Sequence, residues 1–180
     1  MKNILYIMTV TTALATGFAA YAANTEANTE SSLKRTANGG YESNVKTESE
    51  TTAGTSNSTE ETVDVNVKND GRVDKTVKSH SVSDPKGLMN KKTKDTETEF
   101  TEKANGGYKQ VTTSKYKNAE GTNVYMVTTT DVDVDSGGNV VTTATTEKTV
   151  DPKGLMNKTT ETTKTKSVNG TVVNQTKKID

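Results

Sequence analysis

The chain repeats itself at an interval of 67 residues, and this repetition constrains the fold more than any other feature. The octapeptide Asp-Pro-Lys-Gly-Leu-Met-Asn-Lys stands at 84–91 and again, unchanged, at 151–158. Aligned without a gap, residues 31–97 and 98–164 are identical at 24 positions, about 36% of the 67. A fixed period of this size indicates structural units that stack on one another. The sequence therefore predicts β repeats at 37–97 and 98–164, with a partial C-terminal repeat at 165–180.

Turn signals divide each unit at intervals of about 15–19 residues. Asn-Gly and Asp-Gly are favoured in two-residue hairpin turns, because both central residues of such turns need a positive φ. Between the turns, valines alternate with polar residues, as at Val63, Val65 and Val67, and a period of two is typical of strands. We expect an all-β fold, an extended antiparallel meander of eight or nine long Thr/Val-rich strands.

Threonine accounts for 36 of the 180 residues, whereas only 29% of the residues are hydrophobic. The branched β-carbon of threonine suits a pleated sheet, but such strands cannot fill a thick core. We expect a thin sheet or slender sandwich held by cross-strand Thr–Thr and Lys–Glu pairs, each worth about 0.2–1 kcal/mol. A disordered exported chain is an open alternative, because few apolar residues are available to stabilise a fold.

The N-terminal residues 1–22 have the features of a bacterial-type signal peptide. Lys2 is followed by a mostly apolar stretch, and Ala20-Tyr21-Ala22 is a small-x-small cleavage site. The sequence therefore predicts an exported protein, periplasmic, cell-surface or extracellular, whose mature chain has no membrane span. Residues 23–36 lack a strand pattern and are expected to form a flexible arm.

Bulk charge and composition argue against several functional classes. Basic and acidic residues number 23 each, which does not favour nucleic acid as a partner. The chain has no cysteine and one histidine, and no base is arranged near a serine or threonine nucleophile. We expect no enzymatic activity and no cofactor, and we assign no catalytic, cofactor-binding or metal-binding residue.

Asp131, Asp133 and Asp135 precede a Gly-Gly turn and superficially resemble a calcium loop, because alternate carboxylates before a turn supply oxygen ligands. The glutamate that such a loop needs at its twelfth position is replaced by Thr142. Alternation also places the three carboxylates on one strand face, where cross-strand lysines would neutralise them. Calcium binding and a solvated strand face both remain open from the sequence.

Two apolar pairs stand directly after a turn, where polar residues are expected. They are Leu88-Met89 and Leu155-Met156. One interpretation is that they cap the open end of the sheet. The other is that they contact a second copy or a partner, since methionine adapts well to such surfaces.

Two functional hypotheses follow from these features. The first is an exported structural, matrix or fibre-type protein that self-associates through strand edges. Residues 24–62 carry a net charge of −4 and residues 151–180 carry +3. This difference is interpreted either as chance variation on a solvated surface or as a basis for head-to-tail attraction between chains. The second is a monomeric cell-surface or periplasmic binding module, adhesin-like, that uses the Gly-Leu-Met-Asn turns; its partner is not identified by the sequence.

Overall fold

The structure is a computed structural model that describes residues 26–87, 90–154 and 158–180. These residues form ten β-strands and no helix. The strands are β1 (Glu26–Arg35), β2 (Tyr41–Glu50), β3 (Ser56–Val67), β4 (Val73–Asp84), β5 (Lys92–Glu102), β6 (Tyr108–Lys117), β7 (Asn123–Val134), β8 (Val140–Asp151), β9 (Thr159–Val168) and β10 (Thr171–Ile179). The all-β expectation is confirmed.

All ten strands belong to one open antiparallel sheet, in which each strand pairs with its neighbours in sequence. The order β1 to β10 across the sheet is the order along the chain, so every connection is a hairpin. The register is continuous from β1 to β9, and one β-bulge interrupts β10 between Val172 and Asn174. Strands β1 and β10 therefore form the two edges.

The register sorts the side chains onto two unlike faces. Val63 and Val77 are cross-strand partners and lie on the same face, which we call the valine face. The opposite face, which carries Glu60, Lys78 and His80, is the charged face. The nine charged side chains that the register places on the valine face are Arg35, Glu61, Lys75, Lys92, Lys94, Glu102, Lys148, Glu161 and Lys177. Most of the remaining charged strand residues lie on the charged face.

A row of threonines crosses the valine face at mid-strand. It runs over five adjacent strands, from β5 to β9, and consists of Thr98, Thr112, Thr128, Thr146 and Thr163. Each is the direct cross-strand partner of the next. Threonine fits this position because its branched β-carbon packs on the pleat while its hydroxyl remains available for a neighbour or water.

Burial is concentrated on the valine face. Among the described apolar side chains, only Val77 and Val132 are less than 9% exposed. Ser79 and Ser83 are the buried polar side chains, and both follow Val77 on the same face of β4. The sheet is thus stabilised mainly by its backbone ladders and half-buried cross-strand pairs.

Six of the hairpins have three-residue loops. Three of these six contain the Asn-Gly or Asp-Gly pairs that predict two-residue turns, at Asn38-Gly39, Asp70-Gly71 and Asn105-Gly106. Each loop ends in a glycine with positive φ, whose N–H donates to the residue three positions earlier; Gly39 donates to Thr36 at 3.2 Å. This is a type I turn followed by a left-handed residue. The two-residue form occurs at Asn169-Gly170, where both residues have positive φ (48° and 81°).

The structure has more strands than the sequence predicts. Strand β1 lies within residues 23–36, for which the sequence suggests a flexible arm. This segment pairs with β2 over its whole length although it lacks alternating valines, because backbone hydrogen bonds, and not apolar side chains, hold it. The predicted signal peptide at 1–22 lies outside the described residues.

Candidate functional site

Within residues 26–87, 90–154 and 158–180, no strand pairs with the outer edge of β1, where one set of residues presents unpaired backbone groups. The Thr36 N–H donates to the Gly40 carbonyl at 3.0 Å, so the backbone of Thr36 faces β2. The backbone N–H and C=O groups of successive residues point to opposite sides of an antiparallel strand. Those of Lys34 therefore also point toward β2, whereas those of Leu33 and Arg35 point outward. Their side chains lie on the valine face.

The outer edge of β10 has the same arrangement. Asp180 and Thr160 exchange both backbone hydrogen bonds at 2.9 Å, so the backbone of Asp180 faces β9. By the same alternation, Lys178 faces β9, while Lys177 and Ile179 face outward. Their side chains also lie on the valine face. Both edges therefore offer outward N–H and C=O groups from residues of the same face.

Among the described residues, the most exposed large apolar side chains lie on these two edge strands. Leu33 on β1 is 62% exposed and Ile179 on β10 is 65% exposed, while Val172 and Val173 on β10 are each 57% exposed. On the interior strands the corresponding values reach only 40%, at Val140. Apolar side chains at an open edge favour pairing with another chain.

Lys103 joins two of the aspartates that resemble a calcium loop. Its Nζ donates to the carboxylates of Asp131 and of Asp133, the latter at 2.7 Å. Asn105 Nδ2 also donates to Asp133 Oδ1, at 3.0 Å. The Lys103 ammonium and then the Asn105 amide lower the pKa of Asp133 below its ordinary value. The Lys103 ammonium thus lies between the carboxylates of Asp131 and Asp133.

Asp135 does not join the other two aspartates, because it lies in the β7–β8 turn. Its Oδ1 accepts backbone N–H bonds from Gly137 at 2.8 Å and Asn139 at 2.9 Å, and its Oδ2 accepts from the Asn139 amide. These bonds lower the pKa of Asp135, with the Asn139 side chain the largest cause. Its role in the structure is to close the turn.

Side-chain contacts at the strand ends recur 67 positions apart. Glu102, at the end of β5, accepts the Val73 N–H at 2.8 Å. Asn169, after β9, accepts the Val140 N–H at 2.9 Å. In each case a side-chain oxygen accepts the first backbone N–H of the neighbouring strand. The two donors are 67 residues apart, and so are the two acceptors. The sequence repeat does not reveal Glu102 and Asn169, because different amino acids occupy the two equivalent positions.

The Asp-Pro-Lys-Gly segments lie against neighbouring hairpin turns. A β-carbon added to Gly121 would stand 2.7 Å from Cδ of Lys153, and one added to Gly54 would stand 3.0 Å from Cδ of Lys86. The stems of these lysines therefore cover the glycines at one end of the sheet. The predicted contact residues Leu88, Met89, Leu155 and Met156 lie outside the described residues.

His80 lies on the charged face of β4, with its Nδ1 2.5 Å from the carboxylate of its cross-strand partner Asp95. Both side chains are more than half exposed. Within the described ranges, no three His, Cys, Asp or Glu side chains are grouped so as to hold a metal ion.

Comparison with known proteins gives no relative: no family model, curated protein or solved structure matches the chain. In the part of the chain that the structure describes, no helix has the length and apolar character needed to span a membrane.

Proposed function

We propose that the protein is an exported, non-enzymatic structural subunit of the matrix or fibre type, built from tandem repeats of about 67 residues. The observation that carries this proposal is the pair of open edges, each with outward backbone groups and strongly exposed apolar side chains. A strand edge of this kind pairs readily with another strand.

Three further features support the proposal. The predicted signal peptide at 1–22 accounts for export. The turn and strand-end contacts that recur 67 positions apart agree with duplication of a four-strand unit. A sheet that is extended by strand addition needs no deep core, which suits a chain that is 29% hydrophobic.

The experiment is electron microscopy and sedimentation of the purified protein over a range of concentration and salt. We expect elongated assemblies that grow with concentration. A protein that stays monomeric under all conditions would overturn the proposal and favour the alternative, a monomeric binding module.

A proline in β10 tests whether the outer edge of this strand is responsible for assembly. Lys177→Pro removes an N–H that faces outward and leaves the β9–β10 ladder intact, which is the one kind of strand position that tolerates proline. We expect circular dichroism to be unchanged and assembly to be lost. Lys177→Thr is the matched control, because it removes the charge and keeps the N–H. Equal assembly of the proline and threonine variants would show that β10 is not used.

Export is tested separately by cell fractionation and N-terminal sequencing of the mature protein. We expect a new N-terminus at Ala23, after cleavage behind Ala22. A chain that retains Met1 and remains in the cytoplasm would contradict the localisation without bearing on assembly.

A further inference from the structure

We infer that the partner of the β10 edge is the β1 edge of a second copy, related by translation, in a head-to-tail sheet with Lys178 opposite Glu30. This inference rests on the proposed structural function and specifies its contact. It follows from strand direction, from the backbone ladders and from charge.

Strand direction permits translation. The meander has an even number of strands, so β1 and β10 run in opposite directions. A second copy that is shifted along the sheet, and rotated only as the twist of the sheet requires, therefore presents a β1 that is antiparallel to β10. A repeated contact between two different edges does not close on itself and yields an open filament.

The backbone hydrogen-bonding pattern of the two edges also permits a contact by translation. The outward backbone groups belong to valine-face residues on both edges, such as Leu33 on β1 and Lys177 on β10. In an antiparallel pair, directly opposed residues share a face and are both hydrogen-bonded or both non-bonded. The two edges satisfy this condition without turning either copy over. Had one set of outward groups belonged to the charged face, translation would have been excluded.

Charge and strand length restrict the register. With Lys178 opposite Glu30, Lys177 lies opposite Ser31 and Asn174 opposite Lys34, so one opposite-charge pair forms and no like charges meet. Lys178 opposite Glu26 would also pair opposite charges, but Ile179 and Asp180 would then lie beyond the start of β1 at Glu26. Sliding β1 by four residues to place Ile179 opposite Leu33 would set Lys178 against Lys34. Opposite charges directly across a ladder stabilise the pair, whereas like charges destabilise it.

Charge over the wider edges has the same complementarity. Strands β9 and β10 carry four lysines and one glutamate, whereas β1 and β2 carry five glutamates, two lysines and one arginine, a net charge of −2. The two edges of different copies therefore attract one another, while two like edges gain less.

Disulfide trapping tests the contact, because the chain has no cysteine of its own. The backbones of Glu30 and Lys178 face inward, so across the new interface they form a non-hydrogen-bonded pair with Cα atoms about 4.5 Å apart. This lies within the about 4.4–6.8 Å that a disulfide requires. Glu30→Cys and Lys178→Cys full-length chains, of which one carries a mass label, are mixed and gently oxidised.

We expect disulfide-linked heterodimers in the mixture. Either variant oxidised alone should give no disulfide-linked dimer. The matched control replaces Lys178→Cys by Asn174→Cys. That position lies four residues away on the same face, about 14 Å along the strand, and we expect little crosslinking. Equal crosslinking of the control pair would overturn the register.

The other outcomes separate this inference from the proposed function. Homodimers of one variant alone would show pairing of like edges, which overturns the head-to-tail contact and leaves a structural role standing. Assemblies seen by microscopy without any crosslink would overturn the contact in the same way. The absence of both assemblies and crosslinks would overturn the inference together with the proposed function.

Discussion

The carbonyl oxygen of Val132 occupies the space that a β-carbon on Gly107 would need. An ideal β-carbon built there stands 2.0 Å from that oxygen. Gly40 has the same relationship to Val65, at 2.1 Å. In both hairpins, the second glycine of Asn-Gly-Gly allows the neighbouring strand to come this close, while the first supplies the positive φ.

We therefore expect Gly107→Ala to destabilise the sheet. The contact is with backbone and can be relieved only by moving β6 from β7, and overpacking of this kind costs about 1–3 kcal/mol. The measurement is the free energy of unfolding in urea.

Gly137→Ala is the matched control for this substitution. Its added β-carbon would meet only side-chain atoms of Asp135 and Asn139, at 3.3 and 3.4 Å. We expect a clearly smaller loss at this position. Equal losses at Gly107 and Gly137 would contradict the steric explanation.

The sequence predicts the strands and turn positions well because the signals for both are local. Alternating valines specify the valine face of β3 and β7, and glycines specify the hairpin ends. The loop lengths were not predictable, because the same Asn-Gly pair fits both a two-residue turn, as at Asn169, and the three-residue loop that ends at Gly39. The choice depends on the register of the flanking strands.

Strand β1 was missed for a related reason, and the sequence predicts association through strand edges without identifying the strands that form them. Residues 26–35 are small, polar or charged except for a single large apolar residue, Leu33, so hydrophobic periodicity carries no signal there. Its strand character comes from the ladder of β2, which is a non-local effect. Which strands become edges depends on the topology of the whole sheet, and no local pattern encodes it.

The contacts of Lys103 with Asp131 and Asp133 give a prediction for the pH dependence of stability. The lowered pKa of Asp133 means that its charged form is stabilised in the folded state. This contribution is present above the ordinary value of 3.8 and is lost as the pH falls through the lower folded value. We expect Lys103→Met to raise the pKa of Asp133 toward 3.8, as followed by NMR titration of its side-chain carboxyl carbon.

Asp135 serves as the internal reference in that titration. Its pKa is lowered by Asn139 and by turn N–H groups, none of which involves Lys103. We expect its midpoint to stay unchanged in Lys103→Met. A shift of both aspartates by the same amount would indicate a general loss of structure in this hairpin.

The threonine row predicts a measurable coupling between neighbours. Thr98 and Thr112 are cross-strand partners with their hydroxyl oxygens 3.1 Å apart. Replacing either by valine keeps the branched shape and removes one hydroxyl. A double-mutant cycle in urea should give a coupling of about 0.2–1 kcal/mol.

Thr98 paired with Thr163 is the control cycle. These residues share the row but lie four strands apart, about 19 Å, where independent sites add with little coupling. A coupling as large as that of Thr98 with Thr112 would show that the row acts through the whole sheet and not through adjacent hydroxyls.

Asn169 combines two functions that substitutions can separate. Its φ of 48° favours glycine or asparagine, and its side chain accepts the Val140 N–H and donates to Asn139 at 3.0 Å. Asn169→Gly keeps the conformation and loses the side-chain bonds, at a cost of about 0.5–1.5 kcal/mol each. Asn169→Ala loses both and adds about 1–2 kcal/mol for the left-handed backbone. We therefore expect alanine to be the more destabilising substitution in thermal and urea unfolding.

Asn169→Asp keeps an acceptor for Val140 and should be the mildest of the three. Equal stability of the glycine and aspartate variants would show that the bond to Val140 contributes nothing to the β8–β9 end of the sheet.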